Sequence, residues 1–231
     1  MFANFVLKNI GGLKHVDYAS EIYSGKTVEQ ISFKKYGKIY GPIRLSVEPN
    51  TPVFNRLVTP TTKSDFIKNK TAIFFIRDPR DLLVSAYYSF GFTHGFSPVE
   101  KIRKVEKRTR EFIQANSIDD YALFSADKLI NDFSKINELQ KFASKSVVIK
   151  YEDMIDNWDV FSEGLKKYLN ISDSVINQIY QNTRPKVKED TSSHHRSGKA
   201  GGYKNKLTAE TIELLNVKFN NIFDAFGYNR F

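Results

Sequence analysis

The chain has 231 residues, with 35 Lys and Arg, 26 Asp and Glu, no cysteine and a formal net charge of +9. This length suits one α/β domain, and the lack of cysteine excludes disulfide scaffolds, cysteine-ligated zinc, iron–sulfur clusters and thiol nucleophiles. No apolar run reaches the ~18 residues that a membrane-spanning helix needs, and the amino terminus has no signal-peptide cleavage pattern. We therefore predict a cytoplasmic, basic protein whose partner or substrate carries negative charge.

Apolar periodicity predicts helices alternating with strands. In chain order the predicted elements are helix 2–10, strand 43–47, strand 72–76, helix 82–90, helix 97–116, helix 119–143, strand 147–151, helix 158–169, helix 172–181 and a last helix with Thr208 as N-cap. A capping box at Ser97, with Pro98 as the first helical residue, predicts the start of the third of these helices. Such alternation favours a parallel sheet in an α/β layer fold. We expect a single domain over residues 1–231, in which residues 183–206 form a long loop, and loops of this length are usually functional or disordered.

The strongest candidate site follows the strand at 72–76. Arg77 stands at the carboxyl end of this strand, where parallel α/β sheets bind ligands, and Ser85 lies on the helix that comes next. A guanidinium and a hydroxyl in these positions can hold one phosphate group. The alternative is that Arg77 and Arg80 pair with the neighbouring aspartates and only order the turn.

A second candidate is the loop from His195 to Asn205. It contains three glycines and four side chains that are or can become cationic. Glycines let backbone N–H groups approach an anion closely, while Arg and Lys supply positive charge. A flexible basic surface loop has the same composition, and that interpretation stays open.

A third candidate is Tyr151, which ends the predicted strand 147–151 and directly precedes Glu152 and Asp153. Its ring can stack on a nucleobase or its hydroxyl can donate a hydrogen bond. Equally, one of the two carboxylates that follow it can cap the next helix.

Taken together, these motifs resemble those of the sulfotransferase family that uses 3′-phosphoadenosine 5′-phosphosulfate (PAPS). In that family an Arg at a strand end and a Ser eight positions later hold the 3′-phosphate of the donor, and Arg77 and Ser85 have this spacing. The family's Tyr-Glu-Asp near the adenine is matched at Tyr151. Its Arg-Lys-Gly loop, which closes over the nucleotide, is matched by Arg196, Ser197 and Gly198, with Ser197 in place of the Lys.

The resemblance implies a three-layer α/β/α fold with a central parallel sheet, of the P-loop nucleoside triphosphate hydrolase-like type. It implies in-line transfer of a sulfuryl group from PAPS to a hydroxyl or amine, with 3′,5′-ADP as the product and no metal. The residues implied in donor binding are Arg77, Ser85, Tyr151, Arg196, Ser197 and Gly198. The acceptor is expected to be a small molecule or a glycan, and the net charge of +9 favours an anionic one.

Two features depart from the family pattern. The family begins with a strand and a loop that binds the 5′-phosphosulfate, whereas residues 1–10 resemble the helix that comes after them. We therefore expect the chain to begin one strand-loop unit late. Where many members place a catalytic His, residues 43–49 offer Glu48, which is our first candidate for the base; His94 is the second.

Two other functions are weighed against this one. A P-loop nucleotide kinase predicts a Gly-x-x-x-x-Gly-Lys-Ser/Thr string, which the sequence lacks, although the strand-loop unit expected before residue 1 is where such a string would stand. A non-enzymatic nucleic-acid-binding module would use the basic helix 97–116. Three glutamates within that helix partly balance its positive charge, so we expect no nucleic acid partner.

Overall fold

The structure is a computed structural model that describes residues 13–17, 20–21, 24, 26, 37–41, 67–183 and 199–230. The predicted helix 2–10, the predicted strand 43–47 and much of the loop 183–206 lie outside these residues. The chain divides into two compact units, Met1–Phe75 with Glu138–Arg184 and Ile76–Asn137 with Pro185–Phe231. The single domain stays a prediction.

Two small parallel sheets contain the described strands. In the first sheet, β1 (Lys14–Val16) pairs with β2 (Lys38–Tyr40) in a register that places His15 opposite Ile39. In the second, β3 (Thr71–Ile76) pairs with β4 (Lys145–Lys150). Both strands of the second sheet were predicted within two residues of their observed ends. The parallel pairing agrees with an α/β fold, while one central sheet between two helical layers stays a prediction.

Helices make up most of the described chain. In order they are α1 (Pro79–Tyr88), a π-helical turn (Ser89–Thr93), α2 (Glu100–Gln114), α3 (Ile118–Phe142), α4 (Tyr151–Asp156), α5 (Trp158–Tyr168), α6 (Asp173–Thr183), a 3₁₀ helix (Gly202–Asn205), α7 (Ala209–Lys218) and α8 (Asn220–Phe226). The predicted helices at 119–143, 158–169 and 172–181 are confirmed to within two residues at each end.

The core of the first unit lies between β4 and the three helices that follow it. Its buried side chains come from the strand, from α4, and from α5, α6 and the link between them. Phe161, Leu165 and Ile179 are almost fully inaccessible. Trp158 covers this core, with its ring 5.1 Å from Phe161 and 4.9 Å from Tyr180 between centroids. Aromatic and aliphatic burial of this kind is the main source of stability in such a unit.

The second unit is held together by contacts of α3 with the carboxyl-terminal helices. Asp119, at the start of α3, accepts a hydrogen bond from the backbone N–H of Thr208 (2.9 Å). Further along, Lys218 bonds Asp127 at 2.8 Å, and the rings of Phe133 and Phe226 meet at 5.3 Å. The contacts advance along α3 as they advance along α7 and α8, so these helices run side by side in the same direction.

Of two predicted helix starts in the second unit, one is confirmed and the other is wrong. Thr208 is confirmed as the N-cap of α7, since its hydroxyl accepts from the N–H of Thr211 at 3.2 Å. The prediction that Pro98 is the first helical residue is wrong, because α2 begins only at Glu100. A capping box at Ser97 requires Glu100 as the acceptor for the N–H of Ser97. In the structure this N–H instead donates to Glu106, further into α2, at 2.6 Å.

Candidate functional site

The turn after β3 orders the first part of the site. Arg77 follows the strand, Asp78 caps α1 by accepting from the N–H of Arg80 at 2.9 Å, and Pro79 is the first helical residue. An aspartate N-cap followed by proline is the preferred way to begin a helix, since the carboxylate satisfies a free N–H and proline needs none. The strand end, the turn and the helix start are thus fixed by four consecutive residues.

Arg80 is a structural residue of this turn. Its guanidinium makes five hydrogen bonds, one for each N–H it can offer, and its side chain is 2 % exposed. Two of the bonds go to Asp78 (3.0 and 2.6 Å), and the other acceptors are the Asn216 side chain and the carbonyls of Asn229 and Arg230. For Arg80 and Asp78, the alternative of pairing within the turn is therefore correct.

Two aromatic rings enclose the same guanidinium. The Cζ atom of Arg80 lies 4.2 Å from the ring centre of Tyr203 and 4.6 Å from that of Phe223. A guanidinium between two ring faces gains cation–π attraction in addition to its hydrogen bonds. Burial raises the pKa of the Tyr203 hydroxyl, with the nearby positive charge of Arg80 acting against this shift and the charge of Asp78 adding to it.

Arg77 differs from Arg80 in both exposure and contacts. Its side chain is 21 % exposed, and its Nη2 atom donates to the carbonyl of Lys199 at 3.2 Å. The same Nη2 lies 3.4 Å from a carboxylate oxygen of Asp81. The arginine at the strand end thus meets the beginning of the described glycine-bearing segment, 122 residues further along the chain.

Asp81 joins this segment to the turn. Its carboxylate is buried and accepts from the N–H of Gly201 at 2.8 Å and from the N–H of Tyr203 at 2.9 Å. Gly201 has φ 71°, a left-handed conformation that glycine adopts without strain. The sequence predicts that N–H groups of this loop bind an anion. In the described part of it, two of them bind a carboxylate of the protein itself.

Ser85 lies on α1, four residues after Asp81, and is half-buried. Residues four apart on a helix occupy the same face, so Ser85 follows Asp81 along one side of α1. Arg77, Asp81 and Ser85 therefore follow one another at intervals of four residues from the strand end onward.

Tyr151 belongs to the other unit. It is the first residue of α4, directly after β4, and its half-buried side chain packs against the core that contains Ile149. Nearby, burial raises the pKa of Asp153, while the positive charge of Lys150 acts to lower it. The residue begins a helix after a strand, as its sequence context predicts, and its nucleobase contact stays a prediction.

His94 ends the π-helical turn that follows α1. Its ring stands edge-on to Phe90 at 5.5 Å, and its carbonyl accepts a hydrogen bond from Arg110. Arg110 also donates to the carbonyl of Phe90 at 3.1 Å, so one side chain of α2 holds both ends of the segment. π-helical turns occur frequently at functional sites, and the histidine is placed on a well-braced one. Its role as a base stays a prediction.

The remaining predicted site residues, Glu48, Arg196, Ser197 and Gly198, lie outside the described residues. Among the residues that are described, no group of three His, Cys, Asp or Glu side chains is arranged to bind a metal ion. Within the same ranges, none of the helices combines the length and the apolar character needed to cross a bilayer.

The basic helix α2 uses much of its charge internally. Arg103 donates to the carbonyls of Ser97 and Pro98, and Lys104 pairs with Glu100 at 2.8 Å. Together with Arg110, these are three of the six basic side chains of α2, while Lys107 and Arg108 are exposed. The expected absence of a nucleic acid partner stays a prediction.

Comparison with known protein families identifies the chain. Residues 50–227, well over half of the sequence, match the family described as "Sulfotransferase domain". The protein belongs to the sulfotransferase family. Neither the curated proteins nor the solved structures contain a match to it. The matched residues of this sulfotransferase include the whole of α1, the turn before it and the glycine-bearing segment.

The sequence offered Asp81 only as a partner of the arginines in its own turn, and the 3.4 Å contact of its carboxylate with Nη2 of Arg77 agrees with that alternative. One signal for Asp81 was present, because it stands four residues after Arg77 and a carboxylate at that spacing is suited to pair with an arginine. The packing of Tyr203 on Arg80 had no comparable signal, since it depends on a contact between distant parts of the chain.

Proposed function

We propose that this sulfotransferase transfers a sulfuryl group from PAPS to a hydroxyl or amine of a small-molecule or glycan acceptor and releases 3′,5′-ADP. Membership of the family supports sulfuryl transfer. The choice of donor rests on the residues that would bind a phosphate on the 3′-oxygen of a ribose, because this group distinguishes PAPS from ATP.

One observation carries the proposal: the 3.2 Å hydrogen bond from Arg77 to the carbonyl of Lys199. The family resemblance implies that Arg77 holds the 3′-phosphate and that the loop containing Lys199 closes over the same nucleotide. Residues 122 positions apart in the sequence thus come together in the second unit, as shared binding of one group requires. Arg77 is partly exposed whereas Arg80 is buried, so Arg77 is the arginine of this turn that a ligand can reach.

The residues present fit a phosphate monoester. Arg77 offers a planar, permanently charged donor, and Ser85 offers a hydroxyl further along α1. The exposed Lys199 adds positive charge at the same end of the glycine-bearing segment. We assign these residues, with Arg196, Ser197 and Gly198 of the preceding loop, to the 3′-phosphate, and Tyr151 to the adenine.

PAPS, when bound, supplies a sulfur whose bond to the bridging phosphate oxygen breaks as the acceptor oxygen or nitrogen bonds to it in line. Glu48 or His94 would remove the proton from the acceptor, a step that contributes ~10²–10⁴-fold to the rate in comparable enzymes. The protein otherwise acts by holding the two reactants in position.

Calorimetric titration with 3′,5′-ADP and with 5′-AMP tests the proposal. A hydrogen bond to a charged group contributes about 1.5–3 kcal/mol, so Arg77→Ala should weaken 3′,5′-ADP binding at least about tenfold and leave 5′-AMP binding nearly unchanged. Arg77→Lys keeps the charge but not the forked donors. Its affinity for 3′,5′-ADP should lie between that of the wild type and that of Arg77→Ala. Arg108→Ala removes the same charge from the exposed side of α2 and is the control.

Equal weakening of both nucleotides by Arg77→Ala would contradict the assignment to the 3′-phosphate. A wild-type protein that binds 5′-AMP as tightly as 3′,5′-ADP would contradict the choice of PAPS as donor.

A further inference from the structure

Asp81 lies where the turn after β3, helix α1 and the glycine-bearing segment meet. Its side chain is 1 % exposed, and three groups from two distant parts of the chain converge on it. These groups are the guanidinium of Arg77 and the N–H groups of Gly201 and Tyr203. A buried carboxylate needs such partners, because an uncompensated charge in the interior is strongly destabilising.

The segment passes directly over this carboxylate. A Cβ atom built on Gly202 would lie 3.6 Å from an Asp81 oxygen, so the backbone between the two bonded N–H groups is also in close contact. The left-handed turn at Gly201 and the 3₁₀ helix that follows it present both N–H groups to the same side chain. The path of residues 201–203 is therefore set by a single acceptor.

We infer that Asp81 is a positioning residue for donor binding: it fixes residues 199–203 against Arg77 before any nucleotide is present. This inference rests on the proposed function, because it concerns the same 3′-phosphate site. Asp81 itself is buried and does not contact the donor. It acts through Arg77, whose Nη2 atom lies near both the carboxylate and the Lys199 carbonyl.

The physical gain is pre-organisation. Ordering a loop at the moment of binding costs conformational entropy, which subtracts from the affinity for the ligand. Because the Asp81 carboxylate holds both Arg77 and the glycine-bearing segment, this ordering takes place when the protein folds. The nucleotide then meets an arginine and a glycine-bearing segment that already have their final relation.

Amide hydrogen exchange of the wild-type protein tests the inference without any substitution. The N–H groups of Gly201 and Tyr203 should exchange at least ~100-fold more slowly than in an unstructured peptide in the absence of nucleotide, since exchange requires opening of their bonds. Added 3′,5′-ADP should change this protection little. Free exchange of both amides in the ligand-free protein, followed by protection on binding, would overturn the inference.

Asp81→Asn then links the contact to binding. The amide keeps one oxygen acceptor but loses the charge and turns an NH₂ group toward one of the two N–H donors. We expect faster exchange at Gly201 and Tyr203, and ~10-fold weaker binding of 3′,5′-ADP relative to 5′-AMP. Unchanged exchange and an unchanged ratio of the two affinities would overturn the inference.

Asp119→Asn is the matched control. It also removes a carboxylate that accepts from a backbone N–H, that of Thr208, five residues beyond Tyr203. A general loss of stability would affect both variants, whereas the ratio of nucleotide affinities and the exchange at Gly201 should change only in Asp81→Asn. The ratio changing equally in both variants would reduce Asp81 to a structural role.

The two proposals fail in different ways. A wild-type protein that does not prefer 3′,5′-ADP refutes the proposed function, whatever the exchange rates are. Unprotected amides at Gly201 and Tyr203 in the ligand-free protein refute the positioning role, whichever nucleotide binds.

Discussion

Replacing Arg80 by methionine removes a buried guanidinium but keeps a side chain of similar length between Tyr203 and Phe223. The substitution leaves Asp78 with a buried charge that has lost its bidentate partner. It also removes the donor to the Asn216 side chain and to the carbonyls of Asn229 and Arg230.

The expected loss follows from these contacts. Removing one partner of a buried ion pair typically costs about 3–5 kcal/mol, because the remaining charge is uncompensated. Loss of the cation–π contacts with the two rings adds about 1 kcal/mol or more. Since a domain of this kind unfolds with about 5–15 kcal/mol, Arg80→Met should remove a large part of the stability. Arg80→Lys, which keeps a charge but has only three N–H groups, should cost less.

Urea unfolding followed by circular dichroism measures this loss through the helices of both units. Fluorescence is the complementary probe, because the single tryptophan, Trp158, reports only on the first unit. Asp78→Asn combined with Arg80→Met removes both charges, so the double variant should be at least about 1 kcal/mol more stable than the sum of the single effects predicts. Additive effects, or an Arg80→Met protein within about 1 kcal/mol of wild type, would refute the reasoning.

Gly91→Ala should lower the stability by about 1–3 kcal/mol, because the added Cβ would lie 2.6 Å from Cγ2 of Ile113; Gly95→Ala, with nothing within 4 Å, is the control in the same denaturation assay. Asp119→Asn should cost about 1 kcal/mol at neutral pH. Burial opposes the charged carboxylate, but hydrogen bonds from Thr208 and from a further threonine hydroxyl lower its pKa below the ordinary 3.8. Its contribution is therefore complete above pH 3.8 and is lost as the pH falls through the lowered pKa. The difference in the free energy of unfolding between wild type and Asp119→Asn should therefore shrink at acidic pH. A difference that stays constant down to pH ~2 would contradict a contribution from the charged carboxylate.

Local patterns predicted the elements that depend on local chemistry. β3 is an apolar run, and the Thr208 cap accepts from an N–H only three residues further along the chain. Both could therefore be located from a few residues. The start of α2 could not, because Glu106 competes successfully for the N–H of Ser97 and this competition depends on the folded helix. The last predicted helix is in fact two, since the fully buried Phe219 leaves helical geometry between them.

The candidate site shows the same limit. Arg77 and Ser85 could be proposed as a pair because their spacing lies within one strand–turn–helix segment, and their role stays a prediction. The contact of Arg77 with Lys199, and the role of Asp81 between them, join positions more than 100 residues apart, which no local periodicity encodes. Likewise, Arg77 is partly exposed and Arg80 is buried, and the burial of Arg80 depends on Tyr203, Phe223 and acceptors from the last residues of the chain.

The hydrogen bonds from Arg80 to the carbonyls of Asn229 and Arg230 have a practical consequence for handling the protein. Trimming the chain back to residue 228 would strip acceptors from an enclosed cation and leave the amide of Asn216 without its 2.7 Å bond to Arg230. Affinity tags or fluorophores are therefore better attached beyond Phe231 through a spacer, so that the last few peptide groups keep their place beneath the turn after β3.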